Sequence, residues 1–396
     1  VRMSACGRQT RPAPLGVDVL EPMSVQGAGR LPQRRRALVI GGTQFLGRHS
    51  VRALLDAGYE VTLLSRGRTR SPFAGDARVT HVRCNRERDE FAEFLRGVPD
   101  EGFDATVDFC AYAPEHVRPI VDVLGARAGL YVFISTDSVY MACDPSRFVR
   151  EHGGRLAESS ATRPEDARER AARAARDEYG SLKLEVEEQL AHASARDGSF
   201  SWTALRLPDA FGPFENTGRQ AALVRRLRRS SSIGLRIEGE VGAGARRPVS
   251  LVFGPDVGLA VVAACGAPSA VRGRALNICA REAPTWEAFV RALHAALTTE
   301  VTEVPEASAA AAAPAGAAPS PTPVPANTPR FAVERDTQFL STDFGALSGA
   351  LAGELLPHWR ATVLEEAVRA TAWFENHRAT ARGGSRKRSL TVTAMT

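Results

Sequence analysis

A tyrosine and a lysine four residues apart are the side chains of this sequence best suited to acid/base chemistry. Tyr179 and Lys183 belong to the stretch YGSLK, and on a helix they lie one turn apart on the same face. A lysine ammonium beside a phenol favours the phenolate, so we expect the tyrosine pKa to fall below its usual value of about 10. Such a phenol transfers protons at neutral pH. A partly buried tyrosine beside an exposed lysine, with no chemistry, is the alternative interpretation.

Hydroxyl and carboxyl side chains follow a strongly apolar run. Residues 130–135, LYVFIS, predict a buried strand, and Ser135, Thr136, Asp137 and Ser138 lie at its carboxyl end. Open α/β sheets bind ligands at this edge. A hydroxyl there can share a hydrogen bond with a substrate oxygen and with Tyr179, although such hydroxyls equally often tie down a loop.

The element that must position these groups is residues 37–67, which predict a strand, a glycine turn, a helix and a second strand. This unit directs peptide N–H groups and the positive helix end at one place, where a pyrophosphate binds. Its glycines are Gly41, Gly42 and Gly47. Gln44 stands where a further glycine usually lets the backbone touch phosphate. A turn that only packs the helix on the strand is the alternative.

The rest of the sequence continues the alternation of strands and helices. Such an alternation predicts an α/β fold with a doubly wound parallel sheet, a smaller C-terminal substrate lobe and disordered tails. The further strands are predicted at Val79–Arg83, 106–109, 130–135 and 202–207, and the further helices at 115–124, 179–190 and 363–374.

Charge and composition narrow the possible functions. The 396 residues are 44% hydrophobic and carry a net charge of +6. Residues 1–36 hold seven arginines against two acidic residues, and residues 377–396 hold five basic residues and no acidic ones, so the body between them is acidic. The six cysteines and eight histidines show no metal-ligand spacing, so we predict reduced thiols and no metal site.

Three motifs in this order resemble the short-chain dehydrogenase/reductase superfamily, in its extended NAD-dependent epimerase/dehydratase branch. The motifs are GGTQFLG at residues 41–47, FISTDSVY at 133–140 and RLPDAFGP at 206–213, and the similarity runs from residue 37 to about 293. The resemblance implies a Rossmann-type fold that uses NAD or NADP. It also implies that Thr136 is the catalytic hydroxyl, Tyr179 the acid/base and Lys183 its partner and a ribose contact.

The resemblance implies further site residues and a domain organisation. The residues implied to bind the coenzyme are Gly41, Gly42, Thr43, Gln44, Phe45, Leu46, Gly47, Arg66, Asn85, Ala111, Tyr179 and Lys183. Those implied to contact the substrate are Asp137, Ser138, Arg225 and Arg226. The predicted organisation is a disordered basic tail (1–36), an NAD(P)-binding domain (37–204), a substrate lobe with returning sheet elements (205–303), an Ala/Pro linker (304–329), a C-terminal helical part of the lobe (330–376) and a basic tail (377–396).

Departures from the family pattern bear on the reaction and the coenzyme. Dehydratases of the branch carry T-D-E, whereas Ser138 follows Thr136 and Asp137 here, which disfavours simple 4,6-dehydratase chemistry. Gln44 and the segment DFCAY at residues 108–112 resemble an atypical subgroup similar to the chloroplast stem-loop-binding proteins. Arg66 follows the second strand where an acidic residue would accept NAD ribose hydroxyls, so we predict a preference for NADP.

Two hypotheses follow from the sequence. The first is an NAD(P)-dependent epimerase/dehydratase-type oxidoreductase that acts on a nucleotide sugar, for example in a UDP-glucose 4-epimerase-like reaction. The second is an RNA-binding protein on the same scaffold, with a vestigial or regulatory dinucleotide site. We expect a soluble intracellular protein without a membrane partner. The arginine-rich start leaves cytoplasm and plastid open, and the resemblance suggests a homodimer.

Overall fold

The structure is a computed structural model that describes residues 34–229, 236–238, 248–299, 330–332 and 344–383. The predictions for residues 1–33, 304–329 and 384–396 lie outside the described residues. Residues 34–36 lead into the first strand and residues 377–383 end the last helix, although we had assigned both segments to the tails.

The strands of the fold are short. They are β1 (Arg36–Ile40), β2 (Glu60–Ser65), β3 (Val79–Arg83), β4 (Ala105–Asp108), β5 (Leu130–Thr136), β6 (Arg150–Glu151), β7 (Arg155–Leu156), β8 (Ser201–Leu207), β9 (Asp209–Phe211), β10 (Arg236–Glu238), β11 (Leu251–Phe253), β12 (Arg274–Asn277) and β13 (Arg330–Ala332). Of these, β4, β5 and β11 are buried along their whole length.

The helices connect these strands and cover both faces of the main sheet. They are α1 (Phe45–Asp56), α2 (Asp89–Arg96), α3 (Pro114–Pro119), α4 (Ala167–Arg176), α5 (Glu178–Arg196), α6 (Arg219–Arg229), α7 (Gly254–Gly266), α8 (Pro268–Val271), α9 (Trp286–Thr298), α10 (Ala350–Leu355) and α11 (Leu364–Gly383).

The main sheet has seven parallel strands in the order β12-β8-β5-β4-β1-β2-β3. This order confirms the predicted doubly wound fold of Rossmann type. The chain leaves β1 toward β2 on one side, while β4 pairs with β1 on the other side. A ligand crevice therefore opens at the carboxyl ends of β1 and β4, where the winding reverses.

Alternation along β1 shows why the sheet has helices on both faces. Val39 packs in the core beneath α1 and α7, whereas Leu38 and Ile40 pack in the opposite core beneath α2, α3 and α5. Successive side chains of a strand point to opposite faces, so an uninterrupted apolar run needs both faces covered. The apolar run at residues 37–40 thus accounts for the layer on each side.

Two details differ from the sequence prediction. The helix expected over residues 115–124 is an α-helix only over Pro114–Pro119 and continues as a wider turn over Ile120–Leu124. Pro119 lies at this junction, and its missing N–H removes one backbone hydrogen bond. The last helix, α11, extends from Leu364 to Gly383, beyond the predicted end at residue 374.

The C-terminal half supplies a lobe and also returns to the main sheet. β9 pairs with β11, and α6, α9 and α11 share a core with Phe211, Trp286 and Phe289. β12 pairs with β8 at the edge of the main sheet, as expected of returning sheet elements. None of the helices in the described segments is long and apolar enough to cross a membrane.

Candidate active site

The glycine turn between β1 and α1 is a cradle that side chains would fill. Gly41 has a positive φ of 91°, and a Cβ on Gly47 would lie 2.5 Å from the Gly41 carbonyl oxygen. A Cβ on Gly42 would meet the side chains of Val39, Val51 and Leu63. The turn therefore packs the helix on the strand and also brings bare backbone to the N-terminus of α1, as a pyrophosphate requires.

The residues around this turn lie at the same edge of the sheet. Gln44 is the exposed N-cap residue of α1, Thr43 and Leu46 are half-buried, and Phe45 is buried with a positive φ of 33°. The first turn of α1 contains no acidic residue that would repel a phosphate. These positions agree with the predicted coenzyme contacts, which stay predictions.

Three more predicted coenzyme residues follow β2, β3 and β4. Arg66 is exposed. Its guanidinium favours the thiolate of Cys110, but burial of that thiol is the larger effect and raises the pKa of Cys110 to about 11. Asn85 is half-buried, and Ala111 is fully buried against the core. Only the backbone of Ala111 is therefore placed to face a ligand.

Tyr179 and Thr136 lie side by side, from different elements. Thr136 is the last residue of β5, and Tyr179 is the second residue of α5. The Thr136 hydroxyl lies close enough to the Tyr179 phenol to interact with it, and this interaction favours the phenolate. Tyr179 remains 45% exposed, so a ligand in the crevice can reach its ring.

A glycine in the first turn of α5 lets this helix approach the residues that follow β5. Gly180 is buried, and a Cβ there would collide with the carbonyl oxygen of Ser138. The backbone N–H of Ser138 donates to Thr136 Oγ1 at 3.2 Å. Ser138 thus contributes backbone contacts that fix Thr136 beside Tyr179, and its predicted substrate contact stays a prediction.

Lys183 lies one turn further along α5 and is buried beneath the tyrosine. Its Nζ donates to the Ile134 carbonyl oxygen at 2.8 Å and lies 5.8 Å from the centre of the Tyr179 ring. It also lies 5.0 Å from the ring of Tyr112, which is 50% exposed. Burial lowers the pKa of Lys183 to about 8, so the side chain is still mainly an ammonium at neutral pH.

The expected fall in the tyrosine pKa is not what the structure shows. Burial raises the pKa of Tyr179 to about 12, and the neighbouring Tyr112 phenol adds to the rise. Desolvation of a phenolate outweighs the lysine ammonium, which is turned toward the Ile134 carbonyl. The Tyr179 side chain is therefore a protonated phenol at neutral pH in the ligand-free protein.

Asp137 adds a buried carboxyl group directly beside Thr136. Its Oδ1 lies 3.4 Å from Thr136 Oγ1, and its Oδ2 is buried with no hydrogen-bond partner among the described residues. Burial and the nearby Asp209 carboxylate raise the pKa of Asp137 well above its usual value. Asp209 is bonded in turn to Arg219 Nη1 at 2.8 Å.

Replacing Asp137 with Asn is expected to stabilise the protein. Burial disfavours the ionised carboxyl of Asp137, whereas an amide carries no charge, so the change should stabilise the protein by about 1–3 kcal/mol and raise the melting temperature by about 2–6 °C at pH 7. The unfolded carboxyl ionises near pH ~4, whereas burial opposes ionisation of the folded one, so the gain should shrink as the pH falls from 7 toward 5. Thermal unfolding at both pH values measures it.

Asp144 provides the contrasting control for this prediction. It is half-buried, and hydrogen bonds from Ser146 lower its pKa. The Asp144→Asn variant should lose a little stability at pH 7, because its carboxylate is the favoured form in the fold. A melting temperature of Asp137→Asn at or below that of the parent would contradict the prediction, because it would show that the fold stabilises the Asp137 carboxyl group.

A buried ion pair that was not predicted from the sequence holds α5 on the sheet. Glu187 Oε2 accepts from Arg206 Nη2 at 2.6 Å, and Glu187 Oε1 accepts from Ser135 Oγ at 2.6 Å. The Ser135 hydroxyl is therefore committed to α5 rather than to a substrate. Glu187 follows Lys183 by four residues and therefore lies on the same face of the helix, and this spacing is the feature of the sequence that could have indicated its position.

Arg206 extends this network into the C-terminal half. It donates to the Tyr140 hydroxyl at 3.1 Å, which donates to Asn277 Oδ1 at 2.7 Å. Asn277 in turn donates to the carbonyl oxygens of Leu156 and Ser348. Through these bonds the strand that carries Thr136 is joined to β12 and to residues 344–349.

The predicted substrate arginines lie on α6. Arg225 is exposed and Arg226 half-buried, and their role stays a prediction. Arg219, at the start of the same helix, is the arginine that reaches Asp209 beside the site. Among the described residues, no three His, Cys, Asp or Glu side chains gather to hold a metal ion.

Comparison with curated proteins finds a relative that matches part of this chain. A curated relative, the chloroplast stem-loop binding protein of 41 kDa b from Arabidopsis thaliana, is 28% identical over 123 residues, which are 28% of this chain and 31% of the relative. The match therefore spans about a third of that protein's length.

Solved structures of low identity share the fold. UDP-glucose 4-epimerase from Thermotoga maritima, solved with UDP-glucose, is 17% identical with a TM-score of 0.55. UDP-glucuronic acid 4-epimerase from Bacillus cereus, in complex with NAD, is 15% identical with a TM-score of 0.58. Each comparison covers 87% of this chain and 99% of the other chain.

The assignment to a family depends on the profile match, which is longer than half of the chain. Residues 37–279 match the NAD dependent epimerase/dehydratase family. This range contains β1, the glycine turn, Thr136, the Tyr179/Lys183 pair and the RLPDAFGP segment. The protein therefore belongs to the NAD dependent epimerase/dehydratase family.

Proposed function

We propose that this protein is an NAD(P)-dependent oxidoreductase of the epimerase type that acts on a nucleotide sugar. The observation that carries the proposal is the contact of the Thr136 hydroxyl with the Tyr179 phenol, one helical turn from Lys183. Family membership supports an enzyme, and solved relatives named as UDP-sugar 4-epimerases support the substrate class.

The chain's own residues fit a dinucleotide. The backbone of the glycine turn would hold the diphosphate, because only Gly41 and Gly47 leave it bare at the N-terminus of α1. Lys183 would hold the nicotinamide ribose. When bound, the nicotinamide ring supplies a hydride acceptor and donor.

The proton chemistry belongs to three side chains. Thr136 would orient the reacting sugar hydroxyl, and Tyr179 would accept its proton as a phenolate, once the phenol of the ligand-free protein has lost its own proton to solvent in the bound complex. Lys183 stabilises that phenolate as an ammonium, since its pKa of about 8 keeps it charged at pH 7. On return, the Tyr179 phenol is a ready proton donor, because its pKa of about 12 keeps it protonated.

A thermal-shift titration with NAD, NADP and a panel of nucleotide sugars tests the proposal. A ligand that binds only the folded state raises the melting temperature. We expect both coenzymes to bind, with NADP tighter by about tenfold, because a charged hydrogen bond to Arg66 contributes about 1.5–3 kcal/mol. UDP-hexoses should add a further shift once coenzyme is bound.

Arg66 and Arg68 form a matched pair for the coenzyme preference. Both are exposed arginines beyond β2. Arg66→Gln should abolish the preference for NADP and leave NAD binding unchanged, whereas Arg68→Gln should retain it. Equal affinities for NAD and NADP in the parent protein would reject the preference, and no shift with either coenzyme would reject the proposed function.

The RNA-binding alternative has one finding in its favour, the name of the Arabidopsis thaliana relative. That relative matches over 123 residues only. The basic segments that suggested polyanion binding fall largely outside the described residues, whereas the interaction of Thr136 with Tyr179 supports the proposed proton transfer. The enzyme is therefore the function that the geometry supports best, and the homodimer stays a prediction.

A further inference from the structure

The residue that breaks the glycine pattern bridges two segments on either side of the crevice. Gln44 Nε2 donates to Thr69 Oγ1 at 3.1 Å, and Gln44 Oε1 accepts from Asn216 Nδ2 at 2.8 Å. Thr69 lies just beyond the end of β2, and Asn216 lies in the loop between β9 and α6. One side chain thus joins the glycine turn to the predicted ribose side and to the C-terminal lobe.

Two further contacts hold the same loop on the first turns of α1. His49 Nε2 lies 3.0 Å from the Pro213 carbonyl oxygen, and the Arg48 guanidinium lies 3.6 Å from the centre of the Phe214 ring. Phe214 also packs edge-on against Phe374 at 4.7 Å. The loop is therefore seated beside the helix N-terminus by several contacts and not by the Gln44 amide alone.

The backbone of this loop shows that the seating is specific. Phe214 has a φ of 66°, which bulky residues rarely adopt and which costs on the order of 1–3 kcal/mol. Such a conformation persists only where surrounding contacts enforce it. The Arg48 and His49 contacts hold the loop on the N-terminal part of α1, where the family binds its coenzyme diphosphate, and Phe374 of α11 packs against the same Phe214 ring.

We propose that Gln44, Thr69 and Asn216 form a clasp over the diphosphate of the dinucleotide. The inference rests on the proposed coenzyme site and adds to it a retaining function for Thr69 and Asn216. The clasp spans the line from the helix N-terminus, which binds the diphosphate, to the end of β2, which binds the ribose. Its two amide groups supply N–H donors that suit phosphate oxygens.

The clasp also connects coenzyme binding to the lobe that carries Asp209 and Arg219. Asn216 lies three residues before Arg219, and Arg219 bonds Asp209 beside Asp137. Opening the Gln44–Asn216 bond releases a constraint on this loop. Dissociation of the coenzyme requires that opening, so the clasp should slow the release of coenzyme more than it changes the turnover of bound substrate.

Coenzyme release measured by stopped-flow displacement of NADPH fluorescence tests the clasp. The Gln44→Gly change restores the family pattern, and Asn216→Ala removes the other side of the bridge. We expect each to accelerate release about tenfold, and the double variant to match either single one, because both changes open the same clasp. Thr217→Ala is the matched control, since the Thr217 hydroxyl accepts from Arg219 instead.

Several outcomes would overturn the clasp. Release from Gln44→Gly at or below the parent rate, or tighter NADPH binding by that variant, would show that Gln44 only obstructs the turn. Additive effects of the two changes would show that they act separately. NADPH binding by Gln44→Gly but not by the parent would show that Gln44 blocks the coenzyme site, which rejects the clasp but not the site itself. NADPH binding by neither protein would reject the proposed function as well as the clasp.

Discussion

Replacing Tyr179 with Phe is expected to lower the turnover number by about 10²–10⁴-fold. The change removes the phenol that interacts with the Thr136 hydroxyl. It leaves the ring, and with it the packing beside Lys183. Coenzyme affinity should therefore stay within a factor of about two, because the proton-transfer group is lost while the diphosphate and ribose contacts remain.

The adjacent Tyr112 provides a matched control for this variant. The centres of the two rings lie 6.5 Å apart, and both rings are close to the Lys183 ammonium. Tyr112→Phe removes an equally exposed phenol that lies outside the Thr136 contact. It should change turnover far less than Tyr179→Phe does.

The measurement is the steady-state rate with the UDP-sugar that gives the largest thermal shift. NADPH binding is followed in parallel to confirm that each variant holds the coenzyme. Turnover by Tyr179→Phe within about tenfold of the parent would contradict the proposed mechanism. A large loss in Tyr112→Phe with little loss in Tyr179→Phe would move the acid/base to the other phenol.

The sequence predicted those parts of the site that depend on local pattern. The apolar run of β1, the turn at Gly41, Gly42 and Gly47 and the helical spacing of Tyr179 and Lys183 are all readable from neighbours along the chain. These features also carry the resemblance to the family. The fold class was confirmed for the same reason, since strands and helices of regular length alternate along the sequence.

The parts that escaped prediction join residues far apart in the sequence. Gln44 and Asn216 are 172 residues apart, and Ser135 and Glu187 are 52 residues apart. Local pattern does not pair residues this far apart, and a polar side chain in a sequence is read as exposed, so the buried Ser135–Glu187 bond is missed as well as the exposed Gln44–Asn216 bond. The Tyr179 pKa was wrong for a related reason, because spacing reveals the neighbouring charge and not the desolvation.

Changing Glu187 to Gln is expected to destabilise the protein by about 3–5 kcal/mol, which lowers the melting temperature by about 10 °C. The Glu187–Arg206 pair is buried on both sides, with side chains 5% and 6% exposed. The amide keeps the size of the side chain but leaves the Arg206 guanidinium buried without its counter-charge. Uncompensated burial of a charge accounts for the expected loss.

The neighbouring Glu188 separates this effect from a general cost of losing a carboxylate on α5. Glu188 accepts from Arg163 Nε at 2.7 Å, and its side chain is 43% exposed. An ion pair this exposed contributes about 0–1 kcal/mol, so Glu188→Gln should melt within about 3 °C of the parent. Thermal and urea unfolding of the two variants measure the contrast directly.

A double replacement distinguishes the ion pair from the packing around it. Glu187→Leu combined with Arg206→Met removes both charges and should recover much of the stability lost in Glu187→Gln, because buried pairs are often replaceable by apolar groups. Since Ser135, Glu187 and Arg206 tie α5 to β5 and β8, turnover should stay low in this double variant even where stability returns. Equal melting temperatures for Glu187→Gln and Glu188→Gln would show that the buried pair does not hold α5 in place.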